Sequence, residues 1–228
     1  MLENELITIV TVVKDDDDGL IKTLSSVYSQ ATKPSRYVVV TPNVARVQEL
    51  CKGLPVDVVV DPGQGVYSAM NVGRTHVQTP LVLYLNAGDE IEGDPLKAVD
   101  DMGILKYRVV GAFGNRNCFA GFHFTVFGRG YCHQAVLLPR DHQPYNEKYR
   151  VSADFGVIRV TFPKLIIAKK FKQGSVVFYK GGLSTIEHKK RDKEIIEQIK
   201  RDEALFAYFF CAICNLKWAI KYIQRAFS

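Results

Sequence analysis

The sequence predicts an α/β fold on a mostly parallel sheet, and three observations carry that expectation. Short apolar, β-branched runs recur through the first hundred residues: Leu6–Val13, Tyr37–Val40, Val56–Val60 and Leu81–Leu85. Strands buried on both faces have this pattern. Segments with helical spacing or helix signals alternate with them, which implies parallel strands joined by right-handed crossovers. Finally, 228 residues with 47% hydrophobic content suffice for one α/β domain and a tail, but not for two full domains.

The elements follow in order. Residues Gly19–Gln30 space Leu20, Ile21, Leu24, Val27 and Tyr28 as a helix does. Asn43 is an N-cap for a helix to Cys51, and Gly53 stops it. Asp61-Pro62-Gly63-Gln64-Gly65 is loop chemistry with two glycines able to take positive φ, and Val66–Val77 reads as helix. Asn86-Ala87-Gly88-Asp89 then sits just past the carboxyl end of the fourth strand, where open α/β sheets bind ligands. Asp94-Pro95 predicts an N-cap and a first-turn proline, opening a helix to Met102. Residues 1–102 are thus expected to form a Rossmann-like nucleotide-binding half. Beyond them, Tyr107–Val110, His123–Phe127 and Ala135–Leu138 look like strands separated by Gly-rich turns, an antiparallel half spanning 103–200. Ser152 can cap a helix to Phe162, Val176–Tyr179 is a late strand, and the chain reads as helical from Thr185 to near its end.

The net charge of +6 is concentrated. Lys164–Arg201 holds eleven Lys and Arg against four Asp and Glu, so the remainder is close to neutral. This stretch leads into an apolar tail rather than base-stacking aromatic motifs, and so is expected to face an anionic membrane surface or phosphates, not nucleic acid. Leu6–Val13 has no charged segment before it and no small-residue cleavage site after it, so no export signal is expected. The five cysteines are scattered and odd in number, as in reduced cytosolic proteins, and Cys211-x-x-Cys214 lies inside an apolar helical stretch.

The segment from Asp61 to Asp89 carries a family resemblance. Asp61-Pro62, Gly65-Val66-Tyr67, Ala69-Met70-Asn71 and Gly73, followed by an apolar strand and Leu85-Asn86 with Gly88-Asp89, resemble in register a block of the family 2 glycosyltransferases of the GT-A fold. The match is nearest to bacterial members that build colanic acid, capsule and O-antigen. It covers about residues 6–190, densely at 61–89. It implies a GT-A sheet with a smaller antiparallel acceptor-side part, C-terminal helices, and inverting transfer of a sugar from a nucleotide-sugar.

Such transfer needs the nucleoside gripped, the leaving diphosphate neutralised and the acceptor hydroxyl deprotonated. The resemblance places Thr11, Val12, Asp15 and Asp61 at the nucleoside, with Gly65, Tyr67, Met70 and Asn71 in the helix behind the donor. A solvated acidic turn is the other reading of Asp15, and plain packing that of Tyr67 and Met70. Asn86-Ala87-Gly88-Asp89 stands at the family's D-x-D position, so Asp89 is the expected ligand of Mg2+ or Mn2+ and Asn86 belongs on ribose or a water. Glu90 could substitute. Val151-Ser152-Ala153-Asp154-Phe155 resembles the segment holding the catalytic base, Asp154. Its place in the first turn of a helix favours the ionised form, and Asp141 is a rival. Cys132-His133-Gln134 matches a motif that could line the sugar pocket, although His133 could equally be a hydrogen-bonded core residue. Gly181-Gly182-Leu183-Ser184 resembles a late family stretch, and its glycines can offer backbone N–H groups to a phosphate. His188 with Lys189, Lys190 and Arg191 follows, either as a diphosphate clamp or as a solvated helix face. One departure stands out: the family's acidic loop after the second strand is Thr41-Pro42-Asn43-Val44 here. Base recognition then differs, or transfer is lost.

Residues 201–228 read as an amphipathic helix. Ala204–Cys214 is apolar for eleven residues, and Lys217, Trp218, Lys221, Tyr222 and Arg225 follow. That is too short to span a bilayer but suits an interfacial helix at the inner membrane. Packing on the catalytic domain or in a homodimer is the other reading. The resulting expectation is an inverting glycosyltransferase, cytoplasmic and peripherally bound to the membrane. It would move a sugar, by default from a UDP-sugar, to a glycan or lipid-linked acceptor in surface polysaccharide synthesis. A non-catalytic nucleotide-sugar-binding partner subunit is the alternative. A nucleotidyltransferase would want a basic Gly-rich loop where Lys14-Asp15-Asp16-Asp17-Asp18 stands.

Overall fold

The computed structural model describes residues 2–110, 116–118, 132–166, 169–179 and 186–202. The expected strand at 123–127, the glycine turn at 181–184 and the tail at 203–228 lie outside the described residues. Within them the chain alternates β1 (Leu2–Val12), α1 (Asp17–Tyr28), β2 (Thr32–Thr41), α2 (Val44–Leu50), β3 (Asp57–Val60), α3 (Val66–Thr75) and β4 (Leu81–Tyr84). Then come β5 (Glu90–Glu92), β6 (Gly103–Val110), β7 (Arg116–Cys118), β8 (Val136–Pro139), α4 (Ala153–Ile166), β9 (Lys169–Tyr179) and α5 (His188–Asp202).

The strands form a single sheet in the order β3-β2-β1-β4-β8-β6-β9-β5, with β7 beside β6. Strands β3, β2, β1 and β4 are parallel, as expected. Pairing turns antiparallel at β4–β8 and β8–β6, while β6 and β9 run parallel. This is the mostly parallel sheet with an antiparallel part that the sequence predicts.

Side-chain alternation along the strands builds two cores. Ile7, Ile9, Val39, Leu83 and Leu137 face α1 and α2. Val10, Val38, Val40, Val82, Tyr84 and Leu138 face α3 and α4. Both faces are covered, so β4 is buried at every residue. Asp16 caps α1 by accepting from Gly19 N (2.9 Å), and Asn43 caps α2 by accepting from Arg46 N (3.3 Å).

Two expectations are corrected. Asp94-Pro95 opens only a short 3-10 turn, Pro95–Ala98. Asp94 takes a left-handed backbone (φ 58°), and its carboxylate accepts from Thr32 N and Oγ1 (3.0 and 3.1 Å) instead of capping a helix. A distant strand outcompetes the local cap. Ser152 precedes α4, but its hydroxyl bonds to Glu194 Oε2 (3.0 Å) on α5.

Gly73 sets how closely α3 approaches the sheet. A Cβ there would stand 2.4 Å from Val10 Cγ1 and 3.2 Å from Val40 Cγ2. Alanine is the better helix former, yet overpacking dominates at such a contact. Gly73→Ala should lower unfolding free energy by about 1–3 kcal/mol in urea titration.

Candidate functional site

The antiparallel junction builds the site. The carboxyl end of β4 leads into Asn86–Asp89, and its neighbour β8 begins just after Cys132-His133-Gln134. The loop after β4 and the entry to β8 therefore lie side by side. Helices α3 and α4 stand together on the second face of the sheet, and the Tyr67 hydroxyl on α3 donates to Asp154 Oδ1 on α4 (2.9 Å).

Asp89 is 5% exposed, and its Oδ1 accepts from Tyr179 N (3.0 Å) at the end of β9. Burial pushes its carboxyl up to about 7. The Tyr179 N–H and the Lys22 charge pull the other way, and the Glu90 charge adds to the rise. Glu90 accepts from the Tyr179 hydroxyl (2.5 Å) and pairs with Lys22 (3.1 Å), whose ammonium stands over the Tyr179 ring. Cys132 reports on the neighbourhood. Its thiol is held well above the ordinary range, first by burial and then by the charges of Asp89 and Asp154. The charges of these two acids, 65 positions apart in the chain, both act on this thiol.

A cleft of about 240 Å3 opens beside Tyr67, walled by the start of α3 (Gln64–Ser68), by Glu147, Tyr149 and Arg150, and by Glu187 and Lys190 near α5. That is below the roughly 300 Å3 at which small-molecule sites begin. Gly65, with φ 117°, starts α3 without a side-chain cap. The start of α3 lines the cleft, and the N-terminal end of a helix is the favourable one for an anion.

The remaining sequence candidates divide by burial. Thr11 is fully buried; its hydroxyl donates to Leu85 O (2.6 Å) and shares a hydrogen bond with Tyr37 (2.8 Å), pinning β1 to β4. Met70 is core. Asn71 clasps the Tyr145 backbone in both directions (2.9 and 2.8 Å) and also donates to Glu147 (2.9 Å). His133 stacks on Tyr84 and shares a 2.7 Å hydrogen bond with Tyr145; burial lowers its pKa and keeps the ring neutral. Gln134 is buried, accepting from the Cys132 thiol. Val12 is half-buried at the strand end, and Asp15 is exposed beside Lys14. Asp61 makes a turn by accepting from Gly63 N (2.8 Å). Asn86 is half-exposed on the loop, and His188 is exposed at the start of α5. Asp16, Arg150, Tyr179 and Glu194 were not singled out from sequence. Only Asp16 had a local signal, a carboxylate three residues before Gly19.

Asp89 Oδ2 accepts no hydrogen bond among the described residues. No group of three or more His, Cys, Asp or Glu gathers among the described residues. A divalent cation held by Asp89 would need Asn86, water and phosphate oxygens to complete its shell.

No protein-family model matches the chain, and no curated protein matches it in sequence. Solved structures match its fold. S. aureus TarS 1-349 in complex with UDP superposes with a TM-score of 0.58 at 12% identity, covering 85% of this chain and 65% of that one. The complex with UDP-GlcNAc gives 0.61 at 12%, covering 85% and 66%. A longer S. aureus TarS structure gives 0.57 at 12%, with 39% of that chain covered. The chain thus spans slightly under two thirds of TarS 1-349, and at this identity the likeness is one of fold.

The Asp89 proton is held more tightly in the folded chain than in the unfolded one. Its contribution to stability is full below about pH 4 and lost as pH rises through about 7. Asp89→Asn should remove this dependence. Relative to wild type, the variant should gain up to about 3 kcal/mol between pH 5 and pH 8 in urea titrations.

Proposed function

We propose that this chain is an inverting glycosyltransferase of the GT-A type, nearest to family 2, acting on a nucleotide-sugar in bacterial surface glycan synthesis. The observation that carries the reading is the 2.9 Å hydrogen bond from Tyr67 of the resemblance block to Asp154, the base in this reading, with Asp89 buried just past the carboxyl end of β4. The TarS complexes with UDP and UDP-GlcNAc support a UDP-sugar as the default donor. Residues 1–102 would hold the donor and 103–200 the acceptor.

In this reading Asp154 takes the proton of an acceptor hydroxyl. The freed oxygen pair attacks the anomeric carbon, the bond to the diphosphate oxygen breaks with its electrons leaving on the diphosphate, and the anomeric configuration inverts. The Tyr67 hydroxyl donates to one oxygen of Asp154 and leaves the other for the substrate. Tyr67 itself stays protonated, because burial and then the Asp154 charge raise its pKa well above the usual value. Asp89 would hold Mg2+ or Mn2+, which when bound neutralises the leaving diphosphate. The first turn of α3 and Lys190 offer further positive potential.

The acceptor would be a polysaccharide or lipid-linked glycan at the inner face of the cytoplasmic membrane, reached by a peripherally bound enzyme. Helix α5 supports this: Lys189, Lys193, Ile196 and Lys200 lie on one exposed face at helical spacing, a basic stripe around an apolar residue. No helix among the described residues is long and apolar enough to cross a membrane. A homodimer through the tail is a further reading of residues 203–228. A non-catalytic nucleotide-sugar-binding subunit is favoured by one observation: the end of β2 carries buried Thr41 and the cap Asn43 in place of an acid for the base. Transfer by the wild type that is lost in Asp154→Asn would count against that second reading.

Thermal unfolding with UDP, GDP, CMP and dTDP, each with and without Mn2+, tests the donor site. One nucleotide should stabilise the chain in a Mn2+-dependent way, by about 2.7 kcal/mol at a hundred times its dissociation constant. A flat response to all four would sink the proposal. Deleting residues 203–228 should shift the protein from the membrane to the soluble fraction on sedimentation; a full-length protein that is already soluble would end the membrane reading.

A further inference from the structure

The segment that carries Asp154 is held by a helix some forty residues further along the chain. Glu194 on α5 is 8% exposed, and its carboxylate accepts four hydrogen bonds. Arg150 N donates to Oε1 (3.1 Å), while Val151 N (2.9 Å), Ser152 N (3.0 Å) and Ser152 Oγ (3.0 Å) donate to Oε2. One turn on, Gln198 is 3% exposed and donates Nε2 to Ser152 O (2.9 Å) and to Ser152 Oγ (3.1 Å). Gly156 lets the helices come this close, since a Cβ there would stand 2.6 Å from Gln198 Oε1.

A helix start does not need this arrangement. Ser152 is a favourable capping residue and could satisfy a first-turn N–H of α4 locally. Instead its hydroxyl turns to a buried carboxylate, and burying a charge is costly unless it is fully hydrogen-bonded. Glu194 uses nearly all its acceptor capacity on three consecutive residues. Those residues end two positions before Asp154 and begin at Arg150, which walls the cleft. On the far side, Asp154 Oδ1 meets the Tyr67 hydroxyl at 2.9 Å. The Glu194 charge reaches Tyr67 as well, adding to burial and Asp154 in holding the tyrosine proton.

We infer that Glu194 is the positioning residue for Asp154, fixing residues 150–152 so that the acid meets Tyr67 and Arg150 stays in the cleft wall. The inference rests on Asp154 being the base. Glu194→Gln keeps the shape but turns an amide N–H toward backbone N–H donors, so it loosens the segment without opening a cavity.

A double-mutant cycle on the full chain, read by UDP release from UDP-GlcNAc in Mn2+, tests it. Glu194→Gln should lower kcat at least tenfold with KM for UDP-GlcNAc within about twofold, and should cause no further loss in the Asp154→Asn background. Residues acting through one another show such non-additivity. Multiplicative losses, or an unchanged kcat, would overturn the inference and leave Glu194 as scaffold only. If Glu194→Gln does not fold, Ser152→Ala removes one of the four hydrogen bonds and should show the same non-additivity with a smaller loss. Hydrogen exchange separates the two failures. A wild type that binds UDP-GlcNAc but releases no UDP defeats the Asp154 reading, and the positioning role with it. Faster exchange at Val151 and Ser152 in Glu194→Gln would then record the clamp as purely structural.

Discussion

The structure depends on one constraint, the burial of β4 on both faces with a parallel neighbour on one side and an antiparallel neighbour on the other. Leu81, Leu83 and Leu85 fill one core, and Val82 and Tyr84 fill the other. No polar residue fits along the strand, so functional groups are displaced to its end. The antiparallel partner β8 enters where β4 leaves, which sets Cys132-His133-Gln134 beside Asn86–Asp89. A parallel partner there would have brought its far end instead.

Beside that junction lies a cluster of aromatic and imidazole rings. Tyr84, His133, His142 and Tyr145 contact one another ring to ring, and Tyr67 stacks on Tyr145. Their polar atoms are tied within the group, as in the Tyr84–His142 and His133–Tyr145 hydrogen bonds. Burial keeps both histidines neutral, with His142 down to about 4. This aromatic wall holds Tyr67, and through it one oxygen of Asp154, while α5 holds the other end of the same segment. The acid is located by two supports that are remote from each other in the chain.

Side chains in and around the resemblance block also tie the fold together. The Thr11 hydroxyl donates to Leu85 O, Asn71 clasps the Tyr145 backbone, and His133 Nε2 shares a hydrogen bond with the Tyr145 hydroxyl. Asp94 and Ser152 had the right chemistry for helix caps, but Thr32 and Glu194 offered them better partners across the fold.

The sequence by itself determined the sheet and its order of elements up to β4. Periodicity, capping and turn residues are local, and each of Asn43, Gly53 and Gly65 acts within a few positions of itself. It also marked Asp61–Asp89 and Asp154 as chemistry-bearing. Only the tertiary structure decided that Asp89 is buried against Tyr179 and unsettled in charge, and that Asp154 is met by Tyr67. It alone brought Glu194 to close the segment from behind. These are contacts between residues 40 to 90 positions apart, and no local pattern encodes them. They arise when burying two faces of one sheet forces distant elements against the same strand ends.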